Sequence, residues 1–120
     1  MEPSFGQLIR QARKDKGYSQ RQLAELVHLD YTYLSKLEND RAEHPPSEEA
    51  IRSLAQHLDL LNEEELIYLA GRMPQRDQEL LKPNYKSMPE LFRRLREDPE
   101  FAQEILRRSA TQPESEDEQS

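Results

Sequence analysis

The stretch that decides the fold runs from Ser19 to Asn39 and reads SQRQLAELVHLDYTYLSKLEN. Its first half carries apolar residues at helical spacing, and Ser19 with Gln22 forms the pattern of a capping box at a helix start. A break follows at 28–30, where Asp30 suits the N-cap of a second short helix. Two short helices joined by so brief a break must cross at a wide angle, so we expect their apolar residues to share one core.

That crossing predicts a free face on the second of the two helices. Leu34 and Leu37 fall on the side that turns toward the core, while Thr32, Ser35 and Lys36 fall on the other side. The pattern therefore indicates a short helix with an exposed polar surface, held by a small apolar core.

Helical patterns continue on both sides of this stretch, and no run alternates apolar and polar residues as a half-buried strand would. Ser4 is the expected N-cap of a first helix that ends at Gly17. Ser47 is the expected N-cap of a fourth helix, and Asn62 with Glu65 forms the capping-box pattern of a fifth. The sequence predicts an all-α protein.

The chain changes character beyond Pro74, where prolines divide it into short pieces. Two pieces, Pro89–Glu97 and Pro99–Ser109, are expected to be amphipathic helices whose apolar residues need a partner. The last ten residues, 111–120, are polar and acidic, so we expect them to be disordered. The predicted organisation is a first domain at 1–73, a helical extension at 74–110 and an acidic tail at 111–120.

The net charge of −7 argues at first against a nucleic-acid partner, because neutralising phosphates normally needs a basic surface. The charges are unevenly placed, however. Residues 1–41 hold seven Lys/Arg and six Asp/Glu, and much of the excess acid lies at 43–65 and 114–118. A locally basic face on an acidic protein can still bind DNA, with a smaller dependence on salt.

Four pieces of sequence carry a family resemblance. They are Arg13-Lys14-x-x-Gly17, Ser19-Gln20-x-x-Leu23-Ala24, Tyr33-Leu34-Ser35-Lys36-Leu37-Glu38-Asn39 and the Pro-Ser-x-x-x-Ile-x-x-Leu-Ala run at 46–55. In this order and spacing the chain resembles the lambda-repressor/Cro-like (XRE-type) helix-turn-helix transcriptional regulators, from about Phe5 to Ala70. The resemblance implies a five-helix DNA-binding bundle, here followed by a short C-terminal helical extension, whose third helix enters the major groove.

The resemblance also implies residue roles. The third helix would read base edges, and the start of the second helix and the loop after the third would hold the DNA backbone. The implied DNA-binding residues are Gln20, Arg21, Tyr31, Thr32, Tyr33, Ser35, Lys36, Asn39 and Arg41. Arg13 and Glu38 match a structural salt bridge. His28 and Asp40 stand where the family commonly has glycine, often with positive φ.

The function that we expect is sequence-specific transcriptional regulation, as a repressor that binds double-stranded DNA as a homodimer. The fifth helix and the segment beyond Pro74 are the expected dimer surface. Two alternatives stay open. One is an antitoxin or adaptor whose residues 74–110 bind a protein partner, with DNA binding secondary. The other is a regulator removed by proteolysis, with the C-terminal helices as the sensor.

The remaining candidate sites favour simpler interpretations. We expect no enzyme activity and no cofactor, because no nucleophile elbow, phosphate loop or HExxH motif occurs and there are only three glycines. Without cysteine, and with three histidines that lack an i, i+4 partner, a metal site is not expected. No apolar run is long enough for a membrane span, so a cytoplasmic location is expected. Arg93, Arg94 and Arg96 are either a basic DNA patch or a solvated helix face.

Overall fold

The structure, a computed structural model, describes residues 2–110, and within this range all regular structure is helical. The helices are α1 Phe5–Lys16, α2 Gln20–Leu26, α3 Tyr31–Glu38, α4 Glu48–His57, α5 Glu63–Leu69, α6 Gln75–Leu81, α7 Met88–Glu97 and α8 Pro99–Ala110, with a 3-10 turn at Lys82–Asn84. The all-α fold is confirmed. The acidic tail predicted to be disordered lies outside the described residues.

Side-chain caps begin the first four helices as the sequence predicts. Ser4 and Ser19 each accept a hydrogen bond from the backbone N–H three residues on, and the glutamine there bonds back, completing two capping boxes. Asp30 accepts from the backbone of Thr32, with an Oδ1 to N distance of 2.7 Å. Ser47 accepts from the N–H of Ala50 at 3.1 Å. These caps satisfy N–H groups that have no partner inside the helix.

The predicted capping box at Asn62 and Glu65 is wrong. Asn62 lies in the left-handed region, with φ 57° and ψ 63°, and its side chain makes no capping hydrogen bond. A capping side chain needs an extended backbone at this position, which Asn62 does not have. The start of α5 is instead acidic: Glu63 bonds Arg52 and Glu64 pairs with Arg76.

The first five helices end in one backbone motif. The residue one or two positions past each helix end has φ between 55° and 89°, and the N–H after it bonds a carbonyl oxygen five residues earlier. The left-handed residues are Gly17, His28, Asp40, Asp59 and Gly71. His28 and Asp40 have positive φ, in agreement with their alignment to positions where the family commonly has glycine. Asp59 is a third non-glycine residue with positive φ at a helix end. Asp40 bonds the Ser4 hydroxyl and Asp59 pairs with Lys16.

A single apolar core occupies the first unit of the chain, Met1–Asp77. All five helices α1 to α5 contribute to it, and its side chains are almost fully removed from solvent. The core residues are Phe5, Ile9, Leu23, Ala24, Val27, Leu34, Leu37, Ile51, Leu54, Ala55, Leu58, Leu66 and Ile67. This core fixes α3 by its inner side and leaves its outer side to solvent.

The second unit, residues 78 onward, lacks a buried side chain among its described residues. The two helices predicted there are confirmed to within a residue, and α7 and α8 pack against each other. Asp98 caps α8 through the N–H of Phe101, and the Arg94 guanidinium lies 3.8 Å from the Phe101 ring centroid. Exposed apolar residues in this unit include Leu80, Tyr85, Phe92 and Leu106.

Helix α6 was not predicted, and it begins in the first unit and ends in the second. Its first residues are bound to the first unit: the N–H of Gln75 bonds Glu48 at 3.0 Å, Arg76 pairs with Glu64, and Tyr68 donates to Asp77. The hydrogen bond to Asp77 raises the pKa of Tyr68. The domain boundary at Met73 stays a prediction, while contacts divide the chain after Asp77.

Helix α1 approaches the end of α3 closely at Gly6. A Cβ at Gly6 would overlap the backbone carbonyl oxygen of Leu37. We expect Gly6→Ala to lower the free energy of unfolding by about 1–3 kcal/mol, as overpacking does, despite the better helix propensity of alanine. Chemical denaturation measures it. Arg10→Ala, on the exposed side of α1, is the control, and an equal effect of the two substitutions would contradict the close approach.

Candidate nucleic-acid interface

Helix α3 presents a polar surface on a rigid base. Leu34, Leu37 and Glu38 are buried, whereas Tyr31, Thr32 and Lys36 are exposed and Ser35 is half-buried. Asp30 caps the helix at its start, as described above. The side chains available to a ligand therefore come from the outer surface and the first turn of the helix.

A buried ion pair holds the far end of α3. The Arg13 Nε lies 2.7 Å from Glu38 Oε2, and its Nη2 lies 2.9 Å from Oε1, so the two side chains bind in a bidentate manner. Arg13 Nη1 also donates to the backbone oxygen of Tyr18 at 2.9 Å. The side chain of Glu38 is fully buried and that of Arg13 is 10% exposed. The pair joins α1, the turn after it and α3.

Gln20 belongs to the same network. Its Nε2 donates to Glu38 Oε1 at 2.9 Å, which links the first residue of α2 to the last residue of α3. Gln20 is half-buried. Gln20 therefore braces the end of α3, and the phosphate contact that the resemblance implies for it stays a prediction.

Tyr33 lies apart from the free surface of α3. Its hydroxyl donates to the backbone oxygen of His44 at 2.9 Å, and its ring packs against the core. Burial raises the pKa of this phenol, against a smaller lowering by Arg72. Tyr33 therefore anchors the loop between α3 and α4, and a contact with a base stays a prediction.

Arg72 anchors the same loop. Its guanidinium donates to the backbone oxygens of Pro46 and Pro45, at 2.6 and 3.1 Å. Arg72 is not among the residues for which the sequence predicts a role. No local pattern indicates such a contact, because its partners are 26 and 27 residues away; the two prolines mark only the loop.

The segment after α3 contains the predicted backbone contacts. Asn39 is exposed, and its Nδ2 donates to the backbone oxygen of Ser35 at 2.8 Å, so one of its donors is already used. Arg41 is exposed, and its own N–H bonds the oxygen of Lys36 at 2.8 Å. Asp40, between them, bonds Ser4 Oγ at 2.9 Å. This carboxylate is therefore held toward the start of α1.

Arg21 and Tyr31 meet at the other end of the α3 surface. The guanidinium carbon of Arg21 lies 4.3 Å from the centroid of the Tyr31 ring, which is within the range of a cation–π contact. Both residues are exposed, and Ala24 and Leu29 line the same hollow between α2 and α3. Most of the predicted DNA-binding residues thus lie on α3 or at its two ends.

The arginines of α7 are mostly paired. Arg93 pairs with Glu90 and Glu97, and these contacts raise its pKa and lower that of Glu90. Arg94 lies 3.7 Å from Asp98. Arg96 instead lines an apolar hollow of about 570 Å³ with neighbours from the second unit, among them Tyr85 and Phe92. A solvated helix face describes Arg93 and Arg94 better than a basic patch.

Within residues 2–110, no group of three or more His, Asp or Glu side chains is placed to hold a metal ion. No helix in that range is long and apolar enough to cross a membrane.

Comparison with known proteins identifies the class. A family model described as a helix-turn-helix domain matches residues 6–72, which is more than half of the chain. A comparison with curated proteins finds no significant match. A chain in a solved SinR protein/SinI protein complex is similar at 24% identity, over 87% of this chain and 99% of that chain, with a TM-score of 0.47.

The chain belongs to the helix-turn-helix domain family, whose members are DNA-binding regulators. In the fold, α2 and α3 are the two helices of that motif, and the turn between them contains left-handed His28.

Removing Arg13 should expose the structural role of the buried pair. We expect Arg13→Ala to lower the free energy of unfolding by about 3–5 kcal/mol, because Glu38 would remain buried without its cation. Arg13→Lys should recover only part of this, since lysine cannot bind both carboxylate oxygens in the same way. Thermal and chemical denaturation measure both, with exposed Lys14→Ala as the control. An Arg13→Ala protein of normal stability but altered base preference would refute the assignment.

Proposed function

We propose that this protein is a sequence-specific transcriptional repressor that inserts α3 into the major groove of DNA as a homodimer. One observation carries the proposal: α3 offers a free polar surface while its other side is fixed by the core and by the Arg13–Glu38–Gln20 network. A side chain can discriminate between bases only if its backbone is held in one place. The proposed activity is binding and not catalysis, in the cytoplasm.

Base reading is assigned to the middle of the α3 surface. Lys36 is exposed and forms no ion pair within residues 2–110, so its ammonium is available to O6 and N7 of a guanine. Thr32 can contact a thymine methyl group with its own methyl. Ser35 is half-buried and follows Thr32 by about one turn on the same side of the helix.

Phosphate contacts are assigned to the end of that surface where α3 finishes. Arg41, Asn39 and the remaining amide hydrogen of Gln20 can donate to phosphate oxygens, which would fix the register of α3 along the duplex. With only seven basic residues among the first 41, and a net charge of −7, we expect few phosphates to be neutralised. Binding should therefore depend on salt less steeply than for a strongly basic protein.

Dimerisation is assigned to the exposed apolar residues of α5 and of the second unit. The second unit buries none of its described side chains and leaves Leu106 68% exposed, which is unfavourable for an isolated helical pair in water. Two copies would also recognise two half-sites, which is the usual way for a small module to reach adequate specificity. A dimer bound across a promoter would repress by occluding it.

The alternative function uses the same apolar surface for a different protein. An antitoxin or adaptor would bind its partner through residues 74–110, and DNA binding would be secondary. The hollow that contains Tyr85, Phe92 and Arg96 favours this alternative, because an apolar surface with a cation at its edge suits an amphipathic helix bearing an acidic residue.

Selection from a randomised pool of duplexes, with the full-length protein, separates the two functions. Enrichment of an inverted repeat is expected, and the spacing of its halves would give the separation of the two α3 helices. A folded, helical protein that enriches no sequence would refute the repressor proposal and favour the partner-dependent function.

Lys36→Ala should relax the preference at one base position of each half-site. The loss of a guanine contact is expected to weaken binding to the selected sequence by about 1–3 kcal/mol, with little change for a duplex altered at that position. Titrations against the selected duplex and single-base variants measure it. Arg41→Ala is the comparison, since a phosphate contact should weaken all duplexes alike. Uniform weakening by Lys36→Ala would make Lys36 a phosphate contact.

Leu106→Glu should dissociate the dimer. A carboxylate placed in an apolar interface is unfavourable, so sedimentation should show a shift toward monomer and the selected inverted repeat should bind more weakly than before. Leu61→Glu is the matched control, because Leu61 is 84% exposed and lies in the first unit. Circular dichroism would establish that both variants keep their helices. A Leu106→Glu protein that remains fully dimeric would remove Leu106 from the interface.

A further inference from the structure

We propose that Tyr31 is a positioning residue, which holds the guanidinium of Arg21 against a DNA phosphate instead of reading a base edge itself. This inference rests on the proposed DNA-binding function and deepens it. The resemblance placed Tyr31 among the base-reading residues of α3, whereas the structure places its ring beneath a cation from α2.

The geometry gives the ring a partner within the protein. The Arg21 guanidinium carbon lies 4.3 Å from the ring centroid, so one ring face is covered by the cation. Tyr31 is the first residue of α3 and is 38% exposed, so much of the residue is covered by its neighbours. The Tyr31 side chain is therefore engaged before any DNA arrives.

The positive charge of Arg21 is available to a DNA phosphate. Within residues 2–110 Arg21 forms no ion pair, although Glu25 lies one turn further along α2. A second stack in the same protein shows the contrast: Arg94 lies over Phe101, but it also faces Asp98 at 3.7 Å. The Arg94 stack is compensated by a carboxylate, whereas the Arg21 stack keeps its full positive charge.

Stacking leaves the donors of Arg21 free. A guanidinium that lies on a ring uses its flat face, and its five N–H groups point outward in its own plane. That plane matches two oxygens of a phosphate. In helix-turn-helix docking the first helix of the motif crosses the DNA backbone, and Arg21 is the second residue of that helix. A phosphate is therefore the acceptor that fits its place.

The ring of Tyr31, and not its hydroxyl group, contacts Arg21, so two substitutions of Tyr31 should differ in their effect on DNA binding. Tyr31→Phe keeps the ring face and should bind the selected duplex as the unmodified protein does. Tyr31→Leu removes the face and should weaken binding about two- to fivefold, the size of a cation–π contact at an exposed site. The base preference of both variants should stay the same.

The experiment measures binding of the full-length protein to the selected duplex across a range of salt concentrations. Arg21→Ala should weaken binding to all duplexes and lower the steepness of the salt dependence by about 0.9, as the loss of one phosphate contact does. Tyr31→Leu should have no further effect once Arg21→Ala is present. Lys86→Ala, which removes a positive charge from the second unit, is the control for net charge.

Three results would overturn the proposal: a changed preference at a single base in Tyr31→Leu, an equal loss in Tyr31→Phe, or additive losses in the double variant. Thermal melts of each variant separate these effects from unfolding. Failure of the proposed function looks different, because the unmodified protein would then enrich no sequence.

Discussion

The bidentate contact between Arg13 and Glu38 is the constraint on which the motif depends. Without it, the far end of α3 would keep only Leu37 in the core and the Asp40–Ser4 hydrogen bond just beyond the helix, since the hydrogen bond of Gln20 also ends on Glu38. The pair is buried, so its ions have lost water and each needs the other to be tolerated. The network therefore sets the angle between α2 and α3 by a requirement for charge compensation as well as by shape.

The apolar core and this network perform different tasks. Apolar packing favours burial but is not directional, so a helix on a small core can rotate slightly without losing much contact area. Hydrogen bonds between a guanidinium and a carboxylate have a defined geometry. In this protein the core brings five helices together, and the network, with the caps at Ser19 and Asp30, defines where the outer surface of α3 points.

Local patterns predicted the fold well where local chemistry decides it. Ser4, Ser19, Asp30 and Ser47 cap helices because their partners lie two or three residues away. The predicted cap at Asn62 was wrong because the Asn62 backbone is left-handed. Asparagine tolerates this conformation, but the sequence does not indicate it. Helix α6 was missed because it has few apolar residues and its contacts to Glu48 and Glu64 are distant in sequence. For the same reason Arg72 could not be predicted, and the stacking of Arg21 on Tyr31 depends on the turn between α2 and α3.

The left-handed aspartates have a mechanical consequence. Asp40 reaches the first turn of α1 through Ser4, and Asp59 reaches its last turn through Lys16. Glycine would adopt these backbone angles with less strain, but it has no side chain to form either contact. Helix α1 is thus contacted at both of its ends, and these two contacts oppose sliding of the helix along its axis. Arg13 lies on α1, so the fixed axial position of the helix keeps the Arg13 guanidinium level with Glu38. Two surface turns thereby help to keep the buried ion pair aligned.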